Sequence, residues 1–150
     1  YFIEKTFWPG RIQTIQQSPD VIFDVAHNSH SLQAFIQYFK QHRKLYKTAF
    51  LIIGFEQGKD IHCDLPVLYK YFDHIDCTET KIHNSMPAQT LLNLYCPPNK
   101  KINFSTNPLN LIRQRNDALT TQDILVILGS HYFGPYLAEI YKKCFDIKSK

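Results

Sequence analysis

The chain has 150 residues, of which 44% are hydrophobic and 20% are charged, and its formal net charge is +4. This composition is typical of one globular domain with a real core. It excludes a membrane-spanning protein, since no apolar run approaches the roughly 20 residues that a spanning helix needs. The positive charge is dispersed along the chain, which does not favour nucleic acid as a partner.

The four cysteines show no C-x-x-C spacing, so the sequence indicates neither a zinc site nor a disulfide framework. Reduced thiols of this kind are typical of a cytoplasmic protein. Cys63 falls near apolar positions of a predicted helix and is expected to be packed.

Strand and helix patterns alternate along the chain. Residues 11–16 and 21–23 are predicted strands joined by a turn at Ser18-Pro19-Asp20, and further strands are predicted at 46–53, 73–77, 102–105 and 123–128. Apolar residues at helical spacing predict a helix that ends near His42 and a second that begins at Asp64 with Pro66 in its first turn. Three more helices are predicted over 88–95, after Asn107, and over 133–144.

Repeated strand-helix units require a mostly parallel sheet with helices on both faces. The predicted fold class is therefore α/β, a Rossmann-like three-layer sandwich with a six-stranded sheet. The opening hairpin contributes one antiparallel edge strand to it.

A polar cluster follows the second predicted strand. Asp24, His27, Asn28, Ser29 and His30 come just before a helix begins, in the kind of loop where open α/β sheets bind ligands. An ordinary connection whose Asn and Ser residues cap the next helix explains the same pattern. The residues alone leave both interpretations open.

The motifs W-P-G-R (8–11), D-x-A-H-N (24–28), G-F-E-Q-G-K-D-I (54–61) and L-G-S (128–130) span nearly the whole chain. In this set the chain resembles the C-terminal domain of the folylpolyglutamate synthase / dihydrofolate synthase family of the Mur ligase superfamily. The third motif is not a P-loop, because its glycines are one residue too close and no Ser or Thr follows Lys59.

The resemblance implies a role for each of five residues. Arg11 and Asp24 would contact ATP, which agrees with the ability of a guanidinium to hold phosphate and of a carboxylate to accept a ribose hydroxyl. His27 and Ser130 would bind the incoming glutamate, with His27 and Lys59 as catalytic residues. The alternatives are a solvated Lys59, a Ser130 that only caps a helix, and a His27 that only forms loop hydrogen bonds.

The resemblance also implies the reaction and the missing partner. We expect the C-terminal domain of a monomeric, ATP-dependent ligase that adds L-glutamate to dihydropteroate and/or folyl-glutamates through an acyl phosphate. The chain lacks a P-loop and an initiating Met. An N-terminal ATPase domain of the same polypeptide is therefore expected to supply the P-loop and the Mg²⁺ ligands, with no metal site in residues 1–150 and no activity of this domain alone.

Two other functions fit the pattern. One is the C-terminal domain of another Mur-type ligase, which acts in peptidoglycan or cyanophycin synthesis. The other is a nucleotide-binding module without catalysis.

Overall fold

The computed structural model of the protein describes residues 11–142. Within this range the chain forms six β-strands and five α-helices. In chain order they are β1 (Gln13–Gln16), β2 (Asp20–Asp24), α1 (Ser29–His42), β3 (Ala49–Ile53), α2 (Leu65–Tyr69), β4 (His74–Thr78), α3 (Ala88–Leu94), β5 (Ile102–Ser105), α4 (Pro108–Ala118), β6 (Ile124–Leu128) and α5 (Gly134–Tyr141). Trp8, Pro9 and Gly10 of the first motif lie outside the described residues, as does the end of the last predicted helix.

The strands form one sheet in the order β1-β2-β6-β3-β4-β5. β1 pairs with β2 in the antiparallel sense, and the other four neighbouring pairs are parallel. The predicted fold class, an α/β three-layer sandwich with one antiparallel edge strand, is confirmed.

β6 lies in the interior of the sheet, between β2 and β3. Val126 is in register with Ile22 on one side and with Leu51 on the other. All five residues of β6 are 0% exposed. Burial on both faces explains why this strand, with the sequence ILVIL, contains no polar residue.

Helices cover both faces of the sheet. α1, α2 and α3 pack on the face that carries Ile22 and Val126, whereas α4 and α5 pack on the face that carries Phe23 and Ile127. The stripe predicted for α1 is buried as expected, and it consists of Leu32, Phe35, Ile36 and Phe39. Within residues 11–142, every helix falls short of the length and apolar character needed to cross a membrane.

The second predicted helix is shorter than its apolar spacing suggests. α2 has five residues, and the N–H groups of Tyr71 and Phe72 then bond to carbonyls three residues earlier, which tightens the chain into turns. Lys100 Nζ donates to the carbonyl oxygens of Tyr69 and Phe72 at 2.6 and 2.7 Å, so the end of the helix is held from outside. Cys63 precedes α2 and is exposed, so the prediction that it is packed is wrong.

Two glycines bring β3 and β6 together at their carboxyl ends. Gly129 has φ +117°, and a Cβ atom there would lie 2.3 Å from the carbonyl oxygen of Gly54. A Cβ atom on Gly54 would lie 2.8 Å from the ring of Phe133. The Gly54 N–H donates to the Leu128 carbonyl at 3.2 Å, so this contact continues the ladder beyond the strands.

A buried ion pair joins α4 to the sheet. Arg115 donates from Nε and Nη2 to the two carboxylate oxygens of Asp76 at 2.6 and 2.8 Å. The Asp76 side chain is 3% exposed and that of Arg115 is 28% exposed. The paired geometry compensates for the cost of burying the carboxylate.

We predict that Arg115→Leu lowers the free energy of unfolding by about 3 kcal/mol, because it leaves Asp76 charged and buried without its partner. The double variant Asp76→Leu/Arg115→Leu should be more stable than Arg115→Leu. Urea denaturation of the three proteins measures the difference. Equal stability of wild type and Arg115→Leu would contradict the prediction.

We also predict that Gly129→Ala destabilises the domain more than Gly58→Ala does. Both glycines have positive φ, but a Cβ atom on Gly58 would meet nothing within 4 Å. Gly58→Ala should therefore cost backbone strain of about 1–3 kcal/mol, and Gly129→Ala should cost about 1–3 kcal/mol more for the contact with Gly54. Thermal or urea unfolding compares them, and a smaller loss for Gly129→Ala would refute this account.

Candidate functional site

Three loops meet at the carboxyl end of the sheet, after β2, β3 and β6. β6 is inserted between two strands that precede it in the chain, which makes this point a topological switch of the kind where open α/β sheets bind ligands. A cleft of about 170 Å³ opens there. It is lined by His27, Glu56, Lys59, Gly129, Ser130 and His131.

His27 is held in the cleft by hydrogen bonds within its loop. Its Nδ1 lies 2.9 Å from the carbonyl oxygen of Val25. A carbonyl can only accept, so Nδ1 carries a proton and Nε2 is left to interact with a ligand. The His27 N–H donates to Ser31 Oγ at 3.0 Å, and Asn28 Oδ1 accepts from the Ser31 N–H at 2.8 Å. Asn28 thus caps α1, as the capping interpretation predicts, while His27 lines the cleft.

Ser130 also lines the cleft, directly after Gly129. Its Oγ accepts from the Tyr132 N–H at 3.1 Å and so caps the 3-10 turn His131–Phe133. A hydroxyl that accepts in this way still has a proton to donate. The predicted capping role and a ligand-binding role are therefore compatible, and the cap fixes the position of the hydroxyl.

Lys59 reaches the same cleft from the loop after β3. Gly58, with φ +82°, makes the turn that precedes it. Across residues 11–142, Lys59 has neither a hydrogen bond nor an ion pair. Lys59 is half-buried, and its ammonium group is free to bind an anion.

Glu56 and His131 complete the lining. The sequence placed His131 beside Ser130, and it does lie at the cleft. Sequence analysis did not predict Glu56, because a single acidic residue in a loop belongs to no periodic pattern. Its position three residues before Lys59 was the one signal in the sequence. His30 lies elsewhere, in a groove that Cys63 and Asp64 also line.

Arg11 and Asp24 lie near each other but do not line the cleft. Asp24 Oδ2 accepts from the Ile12 N–H at 2.9 Å, and Oδ1 accepts from the Ala26 N–H at 2.7 Å. Burial raises the pKa of the Asp24 carboxyl, although these two hydrogen bonds and the charge of Arg11 lower it. Arg11 itself is exposed at the start of the hairpin.

The fold therefore divides the predicted site residues into two groups. His27, Lys59 and Ser130 share the cleft, and Arg11 and Asp24 lie at the adjoining β1–β2 edge. The backbone links the groups, since the Gly129 N–H donates to the Asp24 carbonyl oxygen at 3.1 Å. In the described part of the chain, no three His, Cys, Asp or Glu side chains converge as a metal site would require.

Solved structures of similar fold include enzymes that are named folylpolyglutamate synthases. A bifunctional folylpolyglutamate synthase/dihydrofolate synthase from Yersinia pestis, complexed with AMPPNP and Mn ion, has a TM-score of 0.74 at 23% identity and covers 91% of this chain and 31% of its own. Mycobacterium tuberculosis folylpolyglutamate synthase complexed with ADP has a TM-score of 0.78 at 17% identity, and the match covers 93% of this chain and 33% of that enzyme. Escherichia coli FolC, in complex with DHPP and ADP, has a TM-score of 0.73 at 25% identity, and the match covers 91% of this chain and 31% of that protein.

Two curated relatives agree with this set. The dihydrofolate synthase/folylpolyglutamate synthase of Buchnera aphidicola subsp. Baizongia pistaciae (strain Bp) is 28% identical over 121 residues, which are 81% of this chain and 28% of the relative. The protein of the same name from Escherichia coli (strain K12) is 33% identical over 90 residues, which are 60% of this chain and 21% of the relative. The chain thus spans less than a third of these relatives.

The family model described as Mur ligase, glutamate ligase domain, matches residues 10–131. This range contains every strand of the sheet and every residue that lines the cleft. The chain belongs to the Mur ligase family, as a glutamate ligase domain.

Proposed function

We propose that the chain is the C-terminal domain of an ATP-dependent ligase that adds L-glutamate to dihydropteroate and/or folyl-glutamates through an acyl phosphate. The observation that carries the proposal is the cleft, where His27, Lys59 and Ser130 converge from three loops. The names of the two curated relatives favour folate over the peptidoglycan and cyanophycin alternatives.

The cleft offers groups that suit the two carboxylates of glutamate. His27, Lys59 and Ser130 line one space, and the Val25 contact leaves His27 Nε2 available to a ligand there. In the proposed reaction the folate carboxylate is first phosphorylated by ATP. The glutamate amino group then forms a bond to the acyl carbon as the bond from that carbon to the phosphate oxygen breaks, and the nitrogen loses its extra proton. His27 and Ser130 would hold glutamate for this attack, and Lys59 would offset negative charge on the leaving phosphate.

Arg11 and Asp24 would serve ATP at the neighbouring edge. Arg11 is exposed and suits phosphate oxygens. Asp24 is 3% exposed, and both of its oxygens already accept backbone hydrogen bonds. Through the Ile12 amide it fixes the residue next to Arg11, and one further lone pair on each oxygen would be left for a ribose hydroxyl.

The rest of the active site would come from an N-terminal domain of the same polypeptide. The chain spans 31% of the Yersinia pestis enzyme, whose structure contains AMPPNP and Mn ion. The proposal assigns the P-loop and the Mg²⁺ ligands to that domain, and residues 1–150 alone should not turn over ATP.

The test of this function uses the full-length polypeptide with ATP, Mg²⁺ and L-glutamate. Phosphate release should require either dihydropteroate or a reduced folate, and the two substrates tested separately decide between the dihydrofolate synthase and polyglutamylation activities. Release that depends instead on a peptidoglycan precursor, or that needs no amino acid, would refute the proposal.

We predict that His27→Ala and Ser130→Ala each raise the KM for glutamate about ten- to a hundredfold in the full-length enzyme. Each removes a polar contact to a charged ligand, worth about 1.5–3 kcal/mol. The KM for ATP should stay within about twofold. Steady-state phosphate release at varied glutamate measures the effect.

Matched controls exist for both substitutions. His42 Nδ1 also bonds to a backbone carbonyl, that of Tyr38 at 2.8 Å, and Ser105 Oγ accepts from the Asn107 N–H at 3.1 Å as Ser130 does from Tyr132. His42→Ala and Ser105→Ala should leave the glutamate KM unchanged. If these controls raised it as much as His27→Ala and Ser130→Ala, the effect would be general rather than local.

We predict that Arg11→Ala raises the KM for ATP about tenfold or more, since it removes a charge-assisted contact to phosphate. Arg113→Ala is the control, because Arg113 is another exposed arginine whose partner is Glu139 at 3.3 Å. Asp24→Ala is a poorer test, because it also leaves the N–H groups of Ile12 and Ala26 without their hydrogen-bond acceptor. An ATP dependence of Arg11→Ala equal to that of wild type would remove Arg11 from the ATP site.

A further inference from the structure

The cleft contains one acidic side chain to which the proposed function gives no role. Glu56 lines it together with His27, Lys59 and Ser130. The Glu56 side chain is only partly exposed, and within residues 11–142 it forms no hydrogen bond or ion pair. Its carboxylate is therefore available to a cationic group that enters the cleft.

Glu56 and Lys59 carry opposite charges in the same space but do not pair with each other. Paired charges would cancel and leave the cleft with little attraction for an ion. Because they are separate, the cleft presents one anionic and one cationic group to whatever enters it. Such an arrangement complements a ligand that carries both an ammonium group and a carboxylate.

Backbone hydrogen bonds hold the chain around Glu56 in place, so its side chain starts from a fixed position. Glu56 forms an antiparallel bridge with Ser85. On either side of it, the Gln57 N–H donates to the Asn84 carbonyl and the Met86 N–H donates to the Phe55 carbonyl, both at 2.8 Å. A site on backbone held from both sides pays less entropy when it binds a ligand.

We propose that Glu56 binds the ammonium group of the amino-acid substrate and so selects for a free α-amino acid. This inference rests on the proposed function and adds to it a residue for the amino end of the substrate. His27 and Ser130 hold carboxylate groups, while Glu56 holds the nitrogen that becomes the nucleophile. The ammonium ion must lose one proton to solvent before attack, and the Glu56 carboxylate, in the same cleft, orients the resulting amine.

The first test is Glu56→Gln in the full-length enzyme, which keeps the shape of the side chain and removes the charge. The KM for glutamate should rise about ten- to a hundredfold, while the KM values for ATP and the folate substrate stay within about twofold. Glu56→Asp should recover part of the loss, because it restores the charge on a shorter side chain. Glu139→Gln is the matched control, since Glu139 is exposed and lies on α5 opposite Arg113.

The second test uses N-acetyl-L-glutamate, which has both carboxylates but no ammonium group. Calorimetric binding to the full-length wild type should favour glutamate over the N-acetyl compound by at least about tenfold. Glu56→Gln should lose most of that preference. A merely structural role for Glu56 would weaken both ligands equally and would overturn the proposal.

The two tests separate this inference from the proposed function. A Glu56→Gln enzyme with the wild-type KM for glutamate overturns the role of Glu56 while folate-dependent turnover stands. If the wild type shows no folate-dependent turnover, the proposed function fails, and the binding comparison alone decides the role of Glu56. Loss of the preference for a free ammonium group then supports that role, and retention of it in Glu56→Gln overturns it.

Discussion

The contact between the backbones of Gly54 and Gly129 determines how closely the three loops of the site can approach one another. Both residues leave their strands at the carboxyl end, and the space between them cannot hold a Cβ atom at Gly129. Because the strands stay together to this point, Glu56 and Lys59 line the same cleft as Ser130. The Gly129 N–H also donates to the Asp24 carbonyl oxygen, which holds the end of β2 against the end of β6. The cleft is thus a consequence of backbone packing before any side chain is considered.

Polar side chains in the described residues fall into two kinds according to their partners. Asp24, Asp76 and Ser130 are buried and engaged by hydrogen bonds, so the folded chain has already compensated for their desolvation. Lys59 and Glu56 have no partners within residues 11–142. The first kind holds loops in place. The second kind keeps its charge available for a ligand, which is where binding energy can be gained.

Sequence patterns predicted the strands and helices well where burial marks the sequence clearly. The fully buried β6 is an unbroken apolar run, and the buried face of α1 has apolar residues at helical spacing. For α2 these patterns predicted the start at Asp64 and Pro66 in the first turn, but not the end at Tyr69. The Lys100 contacts at that end come from a segment 28 and 31 residues away in sequence. At the site, motif resemblance identified His27, Lys59 and Ser130. Glu56 lies within the third motif, but the resemblance implied no role for it, because the proposed role depends on the side chains that surround it in the fold.

The position of β6 also affects how this domain can be made. Among the six strands of residues 11–142 it is the last in chain order, yet it lies between β2 and β3, which are synthesised much earlier. A ribosome adds about 5–20 residues per second, so for a period on the order of seconds both strands have unpaired edges. Until β6 emerges, the edges that it will cover on β2 and β3 are open to other strands. A product that terminates before β6 loses the middle of its sheet, whereas one that lacked β5 would lose only an edge.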